Sequence, residues 1–131
     1  MATTPKPTVI VVDADLSMRR ALRMQLQLAG FNVLVFESAE SLMDGEVPTN
    51  NACLLLDIYK MPGMSSVELR QGLAATGRHP PIVLTSACDD ELTCRVVTEV
   101  NAVACLFKPF DEKALLGAIR QALGKQSKIP R

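Results

Sequence analysis

Apolar residues in this chain alternate between short unbroken runs and longer stretches in which they recur every three or four positions. Short runs bounded by polar residues predict strands buried on both faces, and the spaced stretches predict amphipathic helices. The expected strands cover residues 8–12, 31–36, 52–56, 81–84 and 102–107. The expected helices cover residues 16–29, 39–44, 65–76, 89–100 and 111–124. This alternation predicts an α/β fold, a doubly wound (βα)5 unit around a five-stranded parallel sheet.

Residues at the ends of these segments support the boundaries. Ser65 and Glu68 have the spacing of a capping box, and Asp111 is suited to cap the last helix. Gly30 and Gly124 stand where the first and last helices are expected to end. Residues 1–7 are expected to form a flexible lead-in and residues 125–131 a basic tail or linker, which leaves one domain over residues 8–124.

Composition narrows the class of protein. The 131 residues are 48% hydrophobic and 21% charged, with 14 basic and 14 acidic side chains, so the net charge is zero. Zero net charge argues against a chain that binds nucleic acid over its whole surface, because such proteins are normally basic. No apolar run approaches the roughly 20 residues that span a bilayer, and no secretory signal is present, so we expect a cytoplasmic protein.

The cysteines give no sign of a metal or disulfide framework. Four cysteines stand at positions 53, 88, 94 and 105 without a C-x-x-C pair, and His79 is the single histidine. Such scattered residues are a poor ligand set for zinc. We therefore expect reduced, mostly buried thiols.

Candidate chemistry lies where the expected strands end. Asp13 follows the first strand, Asp57 the third, Thr85 the fourth and Lys108 the fifth. The carboxyl ends of parallel strands share one edge of the sheet, where ligands bind. Carboxylates gathered there suit a hard cation such as Mg²⁺, and a hydroxyl and a lysine complete a pocket for a phosphoryl group. Taken singly, each of these residues is more often a helix cap, a turn residue or a solvated side chain. Asp15, in the same loop as Asp13, is interpreted as a helix cap.

Several segments together carry a family resemblance over nearly the whole chain. They are VIVVDADLSMRRAL (9–22), AGFNV (29–33), SAE (38–40), LLLD (54–57), MPGMSSVEL (61–69), PIVLTS (81–86), FKPF (107–110) and ALLGAIRQAL (114–123). On these the chain resembles the receiver domain of bacterial two-component response regulators, and of nitrogen-fixation regulators in particular. The resemblance implies a flavodoxin-like receiver fold with strand order 2-1-3-4-5 and a cis bond between Lys108 and Pro109.

The resemblance also implies a role for each candidate. Asp57 would accept a phosphoryl group from a histidine kinase or phosphotransfer protein. Asp13, Asp57 and the backbone carbonyl of Tyr59 would hold Mg²⁺. Thr85 would hydrogen-bond a phosphoryl oxygen, and Lys108 would pair with the phosphoryl charge. Such a domain is not an enzyme beyond catalysing its own phosphorylation and dephosphorylation.

Three departures from the family pattern bear on that site. Ala14 occupies the position of the second acid, which in the family contacts Mg²⁺, so we expect weakened metal binding. Four residues instead of three separate Asp57 from Pro62, which leaves the register of the Tyr59 carbonyl open. Cys105 replaces the aromatic switch residue of the fifth strand, so the usual coupling between Thr85 and that ring is altered.

The resemblance further implies partners. Receivers commonly signal through the fourth helix, fifth strand and fifth helix, which here span roughly residues 90–100, 103–107 and 111–120, and a homodimer through this surface is one expectation. A DNA-binding output domain beyond this chain is another. No membrane partner is expected.

Other functions remain open from the sequence. A pseudo-receiver would keep the fold and bind partners without phosphorylation. Asp13 and Asp15 also match the D-x-D of haloacid-dehalogenase-like phosphatases, although Leu16 leads straight into a helix where that family has a turn and flap. A flavodoxin-like binder is disfavoured, because acids in the first loop would repel a phosphate.

Overall fold

Strands and helices alternate along the described part of the chain. The computed structural model describes residues 6–46, 48, 50–58, 65–77 and 79–127. The strands are β1 (Thr8–Val12), β2 (Asn32–Phe36), β3 (Ala52–Asp57), β4 (Ile82–Ser86) and β5 (Ala104–Phe107). The helices are α1 (Leu16–Leu28), α2 (Ala39–Asp44), α3 (Ser66–Ala75), α4 (Glu91–Glu99) and α5 (Glu112–Ser127). Every element predicted from apolar spacing is present.

The strands form one parallel sheet in the order β2-β1-β3-β4-β5, which confirms the expected fold class and strand order. Successive connections run from β1 outward to β2 and then back past β1 to β3. The order therefore reverses between β1 and β3, and a crevice opens at their carboxyl ends. Lys108-Pro109 is a cis peptide bond, as the resemblance implied.

Alternate residues of each central strand face opposite sides of the sheet, so each strand contributes to two cores. The first core joins the even-numbered positions of β1, β3 and β4 to α2, α3 and α4; its large members are Ile10, Leu54, Leu56, Leu84, Leu42 and Leu69. The second joins the odd-numbered positions to α1 and α5; its members include Val9, Val11, Leu55, Val83, Leu22, Leu26, Leu115 and Ile119. Burial on both faces explains why these strands read as unbroken apolar runs.

Helix ends follow local chemistry. The Asp15 carboxylate accepts hydrogen bonds from the backbone N–H groups of Ser17 and Met18 and so caps α1. Ser65 and Glu68 form the expected capping box of α3. Gly30 follows α1 with a φ of 99°, a left-handed conformation that favours glycine.

Three details differ from the sequence prediction. β5 begins at Ala104, two residues later than expected. Leu92, expected in the apolar face of α4, is 58% exposed, because the buried face of that helix is set by Thr93 and Val96. The expected end of the last helix at Gly124 is wrong: α5 continues through it to Ser127, since one glycine costs a helix only about 1 kcal/mol.

The cysteine prediction was partly wrong. All four thiols are free, but only Cys53 is buried; Cys105 is half-buried, and Cys88 and Cys94 are exposed. Among the described residues, no helix is long and apolar enough to cross a bilayer.

Thiol reactivity follows from this placement. Burial raises the pKa of Cys53 to about 12, and burial, followed by the charges of Asp89 and Cys94, raises the pKa of Cys105. The thiolate is the reactive form. We therefore expect iodoacetamide at mildly alkaline pH to modify Cys88 and Cys94 first, Cys105 slowly and Cys53 only after unfolding. Peptide mass spectrometry over time measures the order, and early modification of Cys53 in folded protein would contradict it.

The cap of α4 gives a pH prediction. Hydrogen bonds from the backbone and side chain of Thr93 lower the pKa of Asp90 from 3.8. A lowered folded-state pKa stabilises the fold above the unfolded-state pKa, and this contribution is lost as pH falls through the folded-state value. Asp90→Asn keeps a good cap at neutral pH. Urea unfolding over the acidic range should show less loss of stability in Asp90→Asn than in the parent, and identical pH profiles would contradict this.

Candidate functional site

The carboxyl edge of the sheet gathers the four predicted residues. Asp13 follows β1, Asp57 ends β3, Thr85 lies near the end of β4, and Lys108 follows β5. Asp57 and Thr85 are register partners on adjacent strands. Asp13, Asp57 and Thr85 are only 2%, 5% and 2% exposed. The fold therefore places an acid pair, a hydroxyl and a lysine in one crevice, as the topology predicted.

Lys108 lies between the two carboxylates. Its Nζ is 3.3 Å from Asp13 Oδ2 and 3.4 Å from Asp57 Oδ1, and its side chain is only 20% exposed. Two buried carboxylates would repel each other, and the ammonium offsets that repulsion. Two carboxylates and one ammonium leave these three side chains with one net negative charge.

Thr85 binds the same carboxylate oxygen as Lys108. Its hydroxyl Oγ1 donates to Asp57 Oδ1 at 3.4 Å. The backbone fixes this pair, because the N–H of Ile58, next to Asp57, donates to the Thr85 carbonyl at 3.0 Å. The N–H of Lys108 donates to the Ser86 carbonyl at 2.8 Å and so ties β5 to the same edge.

The loop after β1 places Asp13 in the site and Asp15 at the start of α1, outside the site. Asp13 Oδ1 accepts a hydrogen bond from the backbone N–H of Asp15 at 2.8 Å. The Asp15 carboxylate caps α1, so it does not take over the role of the acid that Ala14 lacks. This placement also gives no support to a phosphatase in which Asp15 acts as general acid towards Asp13.

Arg19 is a positioning residue that sequence reasoning missed. The sequence gives it no assigned role, since an arginine near the start of a helix is usually solvated. Its guanidinium Nη1 instead donates to the backbone carbonyl of Asp13 at 2.7 Å, and the residue is half-buried. The contact fixes the backbone that carries Asp13. The signal available in the sequence was the place of Arg19 in the first turns of a helix that follows the Asp13 loop directly.

A second hydroxyl network orders the loop after β4. Ser86 Oγ and Thr93 Oγ1 lie 3.0 Å apart, and each donates to the Cys88 carbonyl at 2.8 Å. Ser86 and Thr93 are both buried. The network ties the loop that follows Ser86 to the start of α4.

Asp13 and Asp57 offer oxygen ligands that suit Mg²⁺. Mg²⁺ is usually held by one or two carboxylates together with waters and substrate phosphates. Asp13 and Asp57 supply two buried carboxylates, and within the described ranges no group of three or more metal-ligating side chains comes together. The residues fit a Mg²⁺ held through few protein ligands. Tyr59, expected to add a backbone carbonyl, lies outside the described residues.

Comparison with known proteins decides the family. The profile described as the response regulator receiver domain matches residues 9–120 of this chain. The chain belongs to the response regulator receiver family. The geometry of the receiver agrees with that assignment, because the acid, hydroxyl and lysine occupy one edge of a 2-1-3-4-5 sheet.

Several individual regulators are similar to this receiver. It is 32% identical over 119 residues to the transcriptional regulatory protein FixJ of Azorhizobium caulinodans, covering 91% of this chain and 56% of that protein. The crystal structure of FixJ-N superposes with a TM-score of 0.82 at 26% identity, covering 98% of this chain and 99% of that one. The response regulator StyR gives the same TM-score at 42% identity, covering 95% of this chain and 62% of that one. The receiver spans about half the length of the curated relatives it matches.

Proposed function

We propose that this receiver accepts a phosphoryl group on Asp57 from a histidine kinase or a phosphotransfer protein. One observation carries the proposal. Asp57 is a buried carboxylate at the crevice of the sheet, and a single oxygen of it meets both the Lys108 ammonium and the Thr85 hydroxyl. A phosphoryl group bonded there would lie beside one cation and one hydrogen-bond donor, which can offset the charge on its oxygens.

The reaction moves a phosphoryl group from a phosphorylated donor to the Asp57 carboxylate. A carboxylate oxygen of Asp57 forms a bond to phosphorus, and the bond from phosphorus to the donor's leaving atom breaks, with its electron pair remaining on the donor. The product on this chain is an acyl phosphate. Lys108 is then placed to pair with a phosphoryl oxygen, and Thr85 to donate a hydrogen bond to another. Water later breaks the bond between Asp57 and phosphorus, which regenerates the carboxylate and releases inorganic phosphate. Beyond these two self-catalysed steps, we assign the domain no enzymatic turnover.

We propose that Asp13, Asp57 and the backbone carbonyl of Tyr59 hold Mg²⁺ with weakened affinity. Bound Mg²⁺ supplies positive charge that offsets the charge on the phosphoryl oxygens. Asp13 is fixed for this role by the N–H of Asp15 and the guanidinium of Arg19. Ala14 removes one carboxylate from the set, and affinity for a hard cation follows ligand charge and number.

The output of the domain is proposed to be a change in the surface of α4, β5 and α5. Leu92 on α4 and Phe107 on β5 are 58% and 40% exposed, and apolar side chains at such positions suit a homodimer. Residues 125–127, expected in the tail, belong to the end of α5. The chain beyond α5 is proposed to lead to a DNA-binding output domain in a cytoplasmic regulator. Cys105 is half-buried where the family has a switching ring, so the signal would pass from Thr85 through Ser86 and Thr93 instead.

Intact-mass spectrometry tests the proposal. The chain is incubated with acetyl phosphate, with Mg²⁺ or with a chelator, and its mass is followed over time. The proposal expects one alkali-labile phosphoryl adduct, formed faster as Mg²⁺ is raised to concentrations well above those that saturate receivers with a complete acidic pair. No adduct at any Mg²⁺ concentration would favour a pseudo-receiver that binds its partners unphosphorylated.

A further inference from the structure

A cavity of about 250 Å³ opens at the amino-terminal edge of the sheet, at the opposite ends of the strands from Asp57. It lies between α3, the start of β4 and the turn between α4 and β5. Its floor includes Leu73, Ile82 and Val100, all buried apolar residues of the first core. The apolar surface that a ligand can reach comes instead from Pro80, Pro81 and Val103, which are half-buried and also line the cavity.

The rim of this cavity is polar, and the described residues that line it include no acid. Arg70, His79 and Asn101 line it, and Arg70 is half-buried. Within the part of the chain that the structure describes, no ion pair or hydrogen bond joins the Arg70 guanidinium to another residue. Glu99 is near in sequence but is not part of the lining. A half-buried guanidinium that has no partner among the described residues, beside an imidazole and an amide, is a recognition group for an anion.

We propose that this cavity binds a small organic carboxylate. The carboxylate group pairs with the Arg70 guanidinium, whose fork of N–H donors matches two carboxylate oxygens. The apolar body of the ligand rests on Pro80, Pro81 and Val103. The volume lies slightly under the roughly 300–1,000 Å³ of pockets for drug-sized ligands, so the ligand is about as large as benzoate.

This site is independent of the phosphorylation proposal, because it uses none of the residues at the carboxyl edge. The test titrates ¹⁵N-labelled chain with benzoate and follows the backbone amides of Ile82, Val100 and Asn101 by NMR. We expect saturable shifts centred on these residues. Benzyl alcohol, which keeps the ring without the charge, should bind at least about tenfold more weakly, since a charge-assisted hydrogen bond is lost. Inorganic phosphate, which keeps charge without an apolar body, should also bind more weakly.

Variants test whether benzoate affinity depends on the Arg70 guanidinium. Arg70→Gln should weaken benzoate binding by about tenfold or more, whereas Arg120→Gln, an exposed arginine of α5 outside the cavity, should leave it unchanged. Thermal melts establish that both variants are folded. Asp57→Asn should bind benzoate as the parent does, which separates this test from that of the proposed function. Absent or non-saturable shifts, equal binding of benzyl alcohol or phosphate, or unchanged binding by Arg70→Gln would each overturn the proposal.

Discussion

Asp57→Asn is expected to abolish the phosphoryl adduct that the parent chain forms with acetyl phosphate. The amide has the shape of the carboxylate, so the contacts around Asp57 lose charge while the volume is kept. It does not have the negative oxygen that attacks phosphorus, and no other described carboxylate combines burial at this edge with contacts from both Lys108 and Thr85. Intact mass after incubation with the donor and Mg²⁺ measures the loss.

Asp15→Asn is the matched control. Asp15 lies in the loop after β1 but caps α1 with its carboxylate, and asparagine caps helices about as well as aspartate. This variant should form the adduct at close to the parent rate. Persistence of the adduct in Asp57→Asn, or its loss in Asp15→Asn, would show that the acceptor has been assigned to the wrong carboxylate.

Ala14→Asp is expected to raise Mg²⁺ affinity by at least about tenfold, because cation binding at such sites follows the number and charge of carboxylate ligands. Asp13 and Asp57 carry two negative charges against one ammonium, and the variant adds a third carboxylate. Without Mg²⁺ the added repulsion should lower the melting temperature, and Mg²⁺ should restore it. Calorimetric titration measures the Mg²⁺ affinity, and thermal melts with Mg²⁺ or a chelator measure how much Mg²⁺ raises the melting temperature.

Ala14→Asn separates charge from size. It has nearly the same shape as the aspartate variant but adds no charge, so its Mg²⁺ affinity should stay close to that of the parent. The phosphoryl adduct should also form at lower Mg²⁺ concentration in Ala14→Asp than in the parent or in Ala14→Asn. Equal Mg²⁺ affinity in all three chains would mean that Ala14 is not the cause of weak metal binding.

Much of this architecture follows from local patterns in the sequence. Apolar runs of about five residues predicted the strands because the strands of a parallel sheet are buried on both faces. Caps such as Ser65 and Asp15 are local interactions, so they are visible in a few residues of sequence. The strand order could not be predicted from the apolar pattern, because periodicity says nothing about which strands are neighbours. It was implied by the family resemblance that the DAD, LLLD, LTS and FKPF segments carry.

The site was predictable as a set of residues but not as a geometry. Parallel topology brings the ends of strands together, so Asp57, Thr85 and Lys108 were expected to meet. The contact from Arg19 to the Asp13 carbonyl was not expected, because it depends on how α1 packs beside its own loop. The exposure of Leu92 and the cavity at the far edge were missed for a similar reason, since both are set by elements distant in the chain.

The most direct test of phosphoryl transfer to Asp57 is to map the adduct on the unaltered chain. After reaction with acetyl phosphate and Mg²⁺, borohydride reduces the acyl phosphate to an alcohol that survives proteolysis, and tandem mass spectrometry locates the altered residue. We expect one altered residue, Asp57, and none in a sample that received no donor. An altered residue at Asp13 or elsewhere, or no altered residue at all, would contradict it.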